Sequence, residues 1–176
     1  MTVWFLFAAM CLVVLLCVLA YMQLAAMKRR LNTSWQKLDR TLRYRAELVP
    51  PLTSLAQSWP GLEKEVLGRL NSLVTASPSA ISYQQRAENE EQITKGFKKI
   101  FTVAQDLPQL QQNLQFTKLQ DSIILAEKKL RQAKYAYNTS AEHFNRVIAV
   151  IPLSFIAQIC EMQPCELFET SAAPHA

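Results

Sequence analysis

Residues 3–27 read VWFLFAAMCLVVLLCVLAYMQLAAM, a run without a charge or a proline. Crossing ~30 Å of hydrocarbon takes ~20 apolar residues at ~1.5 Å each, so the run is long enough to span a bilayer. A core helix of a small domain rarely stays apolar on every face for so long. A cleaved signal peptide needs a basic leader and a small-x-small cleavage site. Met1 to Phe5 hold no Lys or Arg, Leu24-Ala25-Ala26 fits cleavage poorly, and Met10 before Cys11 spoils a lipobox. The expectation is a retained transmembrane anchor, with Trp4 and Tyr21 as interface aromatics.

Charge sets the expected orientation. Lys28, Arg29 and Arg30 follow the apolar run directly, and only the amino terminus precedes it. The positive-inside rule then puts the short N-terminus outside and the rest in the cytoplasm, at the cell (inner) membrane as a single-pass protein. The formal net charge is +5. Residues 28–45 hold seven basic residues (Lys28, Arg29, Arg30, Lys37, Arg40, Arg43, Arg45) against Asp39, so the remainder carries a net charge of −1. The basic balance is an orientation signal beside an anchor. It is not the footprint of a nucleic-acid binder, for which aromatics placed among the charges are lacking.

Beyond the collar the pattern is helical, and only three glycines are present. Leu31, Trp35, Leu38, Leu42 and Val49 form a stripe with no breaker between Met27 and Leu48, so one helix should leave the membrane and project onward. Pro50-Pro51 kinks or interrupts it. Leu52, Leu55, Trp59, Leu62, Val66, Leu70 and Leu73 make a second stripe, with Pro60 as a tolerated kink. Residues 75–83 read as a turn, and 88–104 as a third helix with Ile93, Phe97, Ile100 and Ala104 inward. Residues 105–112, broken at Pro108, read as a second connection. Phe116, Leu119, Ile123, Ala126, Leu130, Ala133, Tyr137, Ser140, Phe144, Val147 and Ile151 then alternate in steps of three and four, a heptad stripe of coiled-coil type. Pro152 closes this helix, a short apolar piece follows, and an acidic tail ends the chain.

The fold class is therefore all-α: an N-terminal transmembrane helix continuing into an elongated antiparallel bundle of about four helices. The expected parts are an anchor (1–27), a bundle (28–152) and a short helix with the acidic tail (153–176).

Three segments resemble the LemA family. SWQKLDRTLRYRAELVPPL carries Trp35, Asp39, Arg45, Glu47, Leu48, Val49 and Pro50 at the places of that family's first motif. DLPQLQQNLQFTKLQ matches the second through Leu107, Leu110, Asn113, Phe116, Leu119 and Gln120. AEKKLRQAKYAYNTSAEHFNRVIAVIP matches the third through Tyr137, Asn138, Phe144, Asn145 and Pro152. The chain departs from the family pattern at Glu47, Pro51, Phe144 and Ile151, and in LSFIAQICEMQPC after the closing proline. The resemblance implies a bacterial, membrane-anchored helical protein without established catalytic chemistry.

Catalytic sets were sought among the titratable residues. The two histidines are His143, beside the long stripe, and His175, in the tail. Neither sits in a Ser-His-Asp or Cys-His pattern. Glu63, Glu65, Glu88, Glu90 and Glu91 lack the Glu-x-x-His partner of a di-metal bundle and read as solvated faces. Cys11 and Cys17 lie in the apolar run as small hydrophobes. Cys160 and Cys165 should stay reduced in the cytoplasm, and a zinc site would need two further ligands. No catalytic residue, metal or cofactor is expected.

Two sets remain as a candidate partner surface. Arg40, Arg43 and Arg45 with Glu47 form either an ion-pair network inside the bundle or a face for anionic headgroups or an acidic partner. Tyr137, Asn138, Phe144 and Asn145 repeat at a spacing of seven. They form either core aromatics with register-fixing amides or a ligand groove between helices. The functional expectation is a scaffold or interaction protein that docks rather than catalyses. Its partners are membrane lipid, an unknown membrane or cytoplasmic protein, and a possible second copy. The alternatives are an accessory or regulatory subunit of a membrane-bound enzyme and an oligomeric membrane-shaping protein.

Overall fold

Helix α1 runs without interruption from Thr2 to Glu47, as the absence of any breaker predicts. The structure is a computed structural model, and it describes residues 1–57, 59–61, 63–76, 82–150 and 153–169. The side chains of residues 3–19 of α1 are exposed, and this is the one described stretch long and apolar enough to cross a membrane. Its second half buries Leu24, Leu31, Leu38, Leu42 and Arg45, one stripe on one face.

Leu48 caps α1 and also begins α2 (Val49–Ala56). Pro50 and Pro51 occupy the first turn of α2, where a missing N–H costs no intrahelical bond. The chain therefore kinks there and continues in the same direction. Pro60 acts differently from the expected kink. Gly61 follows it at φ 84°, and helix resumes only at α3 (Lys64–Ala76). The restart changes the helical phase, so α3 buries Leu67 and Leu70 while Val66 and Leu73 are only half-buried. Leu62 lies outside the described residues.

Of the expected turn at 75–83, residues 77–81 also lie outside the described residues. Ser82 caps α4 (Tyr83–Gln105), its hydroxyl accepting from the Gln85 N–H at 3.1 Å. This cap places the helix start ahead of Glu88. The expected inward residues Ile93, Phe97, Ile100 and Ala104 are all buried. The connection around Pro108 folds as a single turn, α5 (Pro108–Gln111). The Asn113 carboxamide then accepts from the N–H groups of Gln115 and Phe116 and starts α6 (Leu114–Ile148).

Helix α6 follows its predicted stripe closely at first and then drifts. Phe116, Ile123, Ala126, Leu130, Tyr137 and Phe144 are buried, but late in the helix Ala141 and Ile148 replace Ser140 and Val147. A straight helix slips ~20° per heptad against a 3.5-residue repeat, so the inward face moves on to later positions. The closing Ile151 and Pro152 lie outside the described residues. Helix α7 (Leu153–Ile159) follows, and residues 162–169 have neither helix nor strand.

Cross-helix pairs fix the topology. Ser34 meets Ser140 at 3.3 Å and Arg45 meets Glu127, so α1 and α6 are antiparallel. Trp35 meets Tyr83 and Arg45 meets Glu90, so α4 runs parallel to α1. Glu63 pairs with Lys99 while Leu70 faces Gly96, so α3 runs against α4. The result is an all-helical bundle of four main columns, with α2 extending α1 and with α5 and α7 as short additions. Its core has two clusters. The proximal one includes Leu24, Leu31, Leu38, Leu42, Tyr137, Phe144 and Phe168, and the distal one includes Val49, Leu52, Trp59, Leu70, Phe97, Ile100 and Phe116.

Candidate interaction site

Arg45 occupies a core position on α1, between Leu42 of the proximal cluster and Val49 of the distal one. Its side chain is 0% exposed, which removes it from any partner surface. An unpaired guanidinium could not survive there, and two helices, α4 and α6, supply its partners. Nη1 donates to Glu90 Oε2 at 2.6 Å and to the Glu90 carbonyl at 3.1 Å. Nη2 donates to Thr94 Oγ1 at 2.5 Å. Glu127 Oε1 lies 2.6 Å from Nη2, an ion pair without hydrogen-bond alignment. The guanidinium also stands over the Phe97 ring at 5.2 Å, and Nε has no hydrogen-bond partner. The reading of an ion-pair network inside the bundle thus holds for Arg45, although with Glu90 and Glu127 rather than with Glu47, which is exposed.

Glu90 and Glu127 escape a charge-pattern reading because acidic residues on helices usually face water. Glu90 does carry a spacing signal. Ala87, Glu90, Ile93, Phe97, Ile100 and Ala104 are one stripe, and the carboxylate holds a core place in it. One charged residue each from α1, α4 and α6 thus forms a layer between two apolar clusters, a device that fixes register at some cost in stability.

The rest of the arginine set divides. Arg40 is exposed. Arg43 pairs with Asp39 at 2.8 Å one turn away and is otherwise exposed. Arg86, which the sequence reading missed, pairs with the other Asp39 oxygen at 2.6 Å and lies over the Trp35 ring at 5.5 Å. Partial burial pushes the Asp39 carboxyl up, but hydrogen bonds and charge from Arg43 and Arg86 outweigh it and leave it below the usual aspartate range.

The seven-residue repeat on α6 resolves into two roles. Tyr137 and Phe144 are buried in the proximal cluster, and Trp35, Tyr83 and Phe168 gather around Tyr137. Asn138 and Asn145 hold the chain's own C-terminal segment. The Asn145 carboxamide accepts from the Cys165 N–H and donates to the Cys165 carbonyl, both at 2.8 Å. Asn138 does the same for Phe168, accepting from its N–H at 2.9 Å and donating to its carbonyl at 3.4 Å. Tyr137 adds a bond from its hydroxyl to the Glu166 carbonyl at 2.8 Å.

The spacing explains the pairing. Seven helical residues rise ~10.5 Å, and three extended residues span ~10 Å. One face of α6 therefore meets every third residue of an extended strap running antiparallel to it. The groove between helices exists, and this strap fills it. Burial raises the Tyr137 hydroxyl well above the ordinary tyrosine range, helped by Tyr83, Cys165 and Glu166, and raises Tyr83 in the same way. Burial also raises the Cys165 thiol, against an opposing pull from Lys28, which makes it a weak nucleophile.

A cleft remains open beside the strap, lined by Lys28, Trp35, Tyr83, Arg86, Tyr137 and Glu166 among others. Arg29 and Arg30 are exposed at the same level. Among the described residues no cluster of three or more His, Cys, Asp or Glu side chains is placed to hold a metal. His143 is exposed and His175 lies outside the described residues.

The family model of the LemA family matches residues 34–176, which takes in the ionic layer, α6 and the strap together. The chain belongs to the LemA family. A comparison with curated proteins returns no match. The LemA motif residues converge in the fold: Trp35 packs on Tyr137, Asp39 holds Arg86, Arg45 centres the ionic layer, and Asn138 and Asn145 carry the strap.

Proposed function

We propose that this LemA-type protein is a single-pass membrane scaffold that works by docking and has no catalysis of its own. The observation that carries this reading is the continuity of α1. The apolar run is exposed over residues 3–19, yet Leu24 near its end is fully buried beneath the bundle. Anchor and bundle are thus one rigid piece with no linker, which suits a protein that presents a surface at a fixed orientation. Lys28, Arg29 and Arg30 sit at the junction and favour a cytoplasmic bundle at the inner membrane. Membrane lipid is one partner. A membrane or cytoplasmic protein, or a second copy, is the other, meeting the exposed face around Arg40 and Arg43 and the cleft beside the strap.

The test uses the full chain at native level in its own membrane. It should resist extraction at high pH, and with the native cysteines replaced an impermeant thiol reagent should label Tyr135→Cys, an exposed position of the bundle, only after the cells are opened. Chemical crosslinking in those membranes should give one discrete species above the monomer. Labelling of Tyr135→Cys in intact cells would overturn the orientation, and a monomer alone after crosslinking would overturn the scaffold.

A further inference from the structure

Helix α7 lies on the wrong side of the basic collar for a helix in water. Its Ile156 and Ile159 line an almost wholly apolar hollow with Val13, Val14, Cys17, Val18 and Tyr21 of α1. At ~1.5 Å per residue those five positions lie roughly 10–22 Å to the anchor side of Lys28. The outward face of α7 is uncovered and large: Phe155 is 61% and Ile159 83% exposed, and Val150 just before it is 53% exposed. Outside α1, the described residues carry no comparable cluster of exposed apolar side chains. The chain also holds no charged residue between Arg146 and Glu161.

We infer that α7 dips into the bilayer beside α1, so that the protein touches the acyl region at two places. Three observations select lipid as the occupant of this face. The face is continuous with the uncovered apolar run of α1. It lies below Lys28, Arg29 and Arg30, whose charges suit anionic headgroups. Its C-terminal end is also capped for an apolar medium, where each unpaired group costs several kcal/mol. Glu161 turns left-handed at φ 51° after the helix. The Met162 N–H then donates to the Ala157 carbonyl at 2.9 Å and the Glu161 N–H to the Gln158 carbonyl at 3.1 Å, a closed C-terminal cap. At the other end the Ser154 N–H donates to the Val150 carbonyl at 2.9 Å. The cap also reverses the chain, sending residues 162–169 back out along α6. Helix α7 is thus the bottom of a re-entrant loop whose outgoing arm is the strap.

This inference rests on the anchor proposed above, and the experiment separates the two. The full chain, with Cys11, Cys17, Cys160 and Cys165 replaced by Ala or Ser, is reconstituted in vesicles of phosphatidylcholine and phosphatidylglycerol. Nitroxide labels are placed singly by Phe155→Cys, Ile159→Cys, Leu16→Cys and Tyr135→Cys, all exposed positions, with helix content checked by circular dichroism. Collisions with oxygen report lipid, and collisions with a nickel chelate report water. The ratio of oxygen to nickel collisions at Phe155→Cys and Ile159→Cys should exceed that at Tyr135→Cys several-fold and approach that at Leu16→Cys. Water-like values at both α7 sites with a lipid-like Leu16→Cys would overturn the inference and leave the anchor standing. Shielding of both α7 sites from both reagents would overturn it in favour of a protein cover. A water-like Leu16→Cys would overturn the anchor and the inference together.

Discussion

The two halves of the bundle are closed by different means. In the distal half the column beside α4 is a helix, α3, which satisfies its own backbone and contributes Leu67 and Leu70 to the core. In the proximal half it is the extended strap, which satisfies almost nothing internally and contributes Phe168. Buried backbone groups need partners in either case. The strap takes them from side chains of α6, which is why two asparagines and a tyrosine stand on a helix face where a bundle otherwise places apolar residues. A helical column needs only a stripe from its host, whereas an extended one needs hydrogen-bonding groups at matched pitch. Arg45, Glu90 and Glu127 mark the boundary between the two regimes.

The largest effect should come from breaking that boundary. Arg45→Met takes the buried guanidinium away from Glu90 and the half-buried Glu127, and losing one partner of a buried ion pair typically costs about 3–5 kcal/mol. Chemical unfolding in detergent should register it. Arg45→Met combined with Glu90→Leu and Glu127→Leu should recover most of the loss, because an apolar layer suits both clusters. A triple variant as unstable as the single one would show that the layer does more than keep register.

Removing an amide of the strap should act locally. Asn145→Leu strands the Cys165 N–H and carbonyl, a cost of about 1–3 kcal/mol that falls on the strap alone. Amide exchange at residues 162–169 should accelerate and Cys165 should react faster with thiol reagents, with global unfolding little changed. In the distal half Gly96→Ala tests the opposite arrangement. An added Cβ would meet Leu70 at 2.5 Å. Overpacking of about 1–3 kcal/mol, offset by ~1 kcal/mol of helix propensity, should leave a net loss felt in α3 and not in the strap.

Alkaline pH should also tell the halves apart. The Tyr137 and Tyr83 hydroxyls are held protonated in the folded state beyond the ordinary tyrosine value of about 10. Above that value the unfolded chain binds fewer protons than the native one, so stability falls as pH rises. Exchange of the strap amides should increase first, before the α3 amides respond. The smallest effect is expected at the cap of α7. Glu161→Gly relieves a left-handed residue and should stabilise that turn by at most about 1 kcal/mol, readable as slower exchange at Met162.

The same contrast explains what was legible in the sequence. The helical columns carried periodic signals, so α1, α4 and α6 and most of their buried residues could be read in advance. The strap carried none, because an unpaired extended segment repeats no apolar pattern, and residues 160–169 read only as an acidic tail. Asn138 and Asn145 were conspicuous by their spacing, yet the spacing named no ligand until the strap was seen lying on them. Arg45 was singled out for its charge, and its burial was hidden because Glu90 and Glu127 look like surface residues when the stripes are read for apolar side chains only. Pro60 was misjudged because α2 already ends at Ala56, and Gly61 beyond it takes a positive φ that no helix continues through.

The unbroken helix from the apolar run into the core couples two azimuths. Each α-helical residue turns the axis by about 100° and lengthens it by ~1.5 Å. A single residue inserted between Met27 and Lys28 would therefore keep the helix but swing Leu24 and the apolar run more than a quarter-turn away from the core they meet. The face of α1 that meets α7 would no longer lie under the face that meets α6, so this junction can gain or lose length only in whole helical repeats.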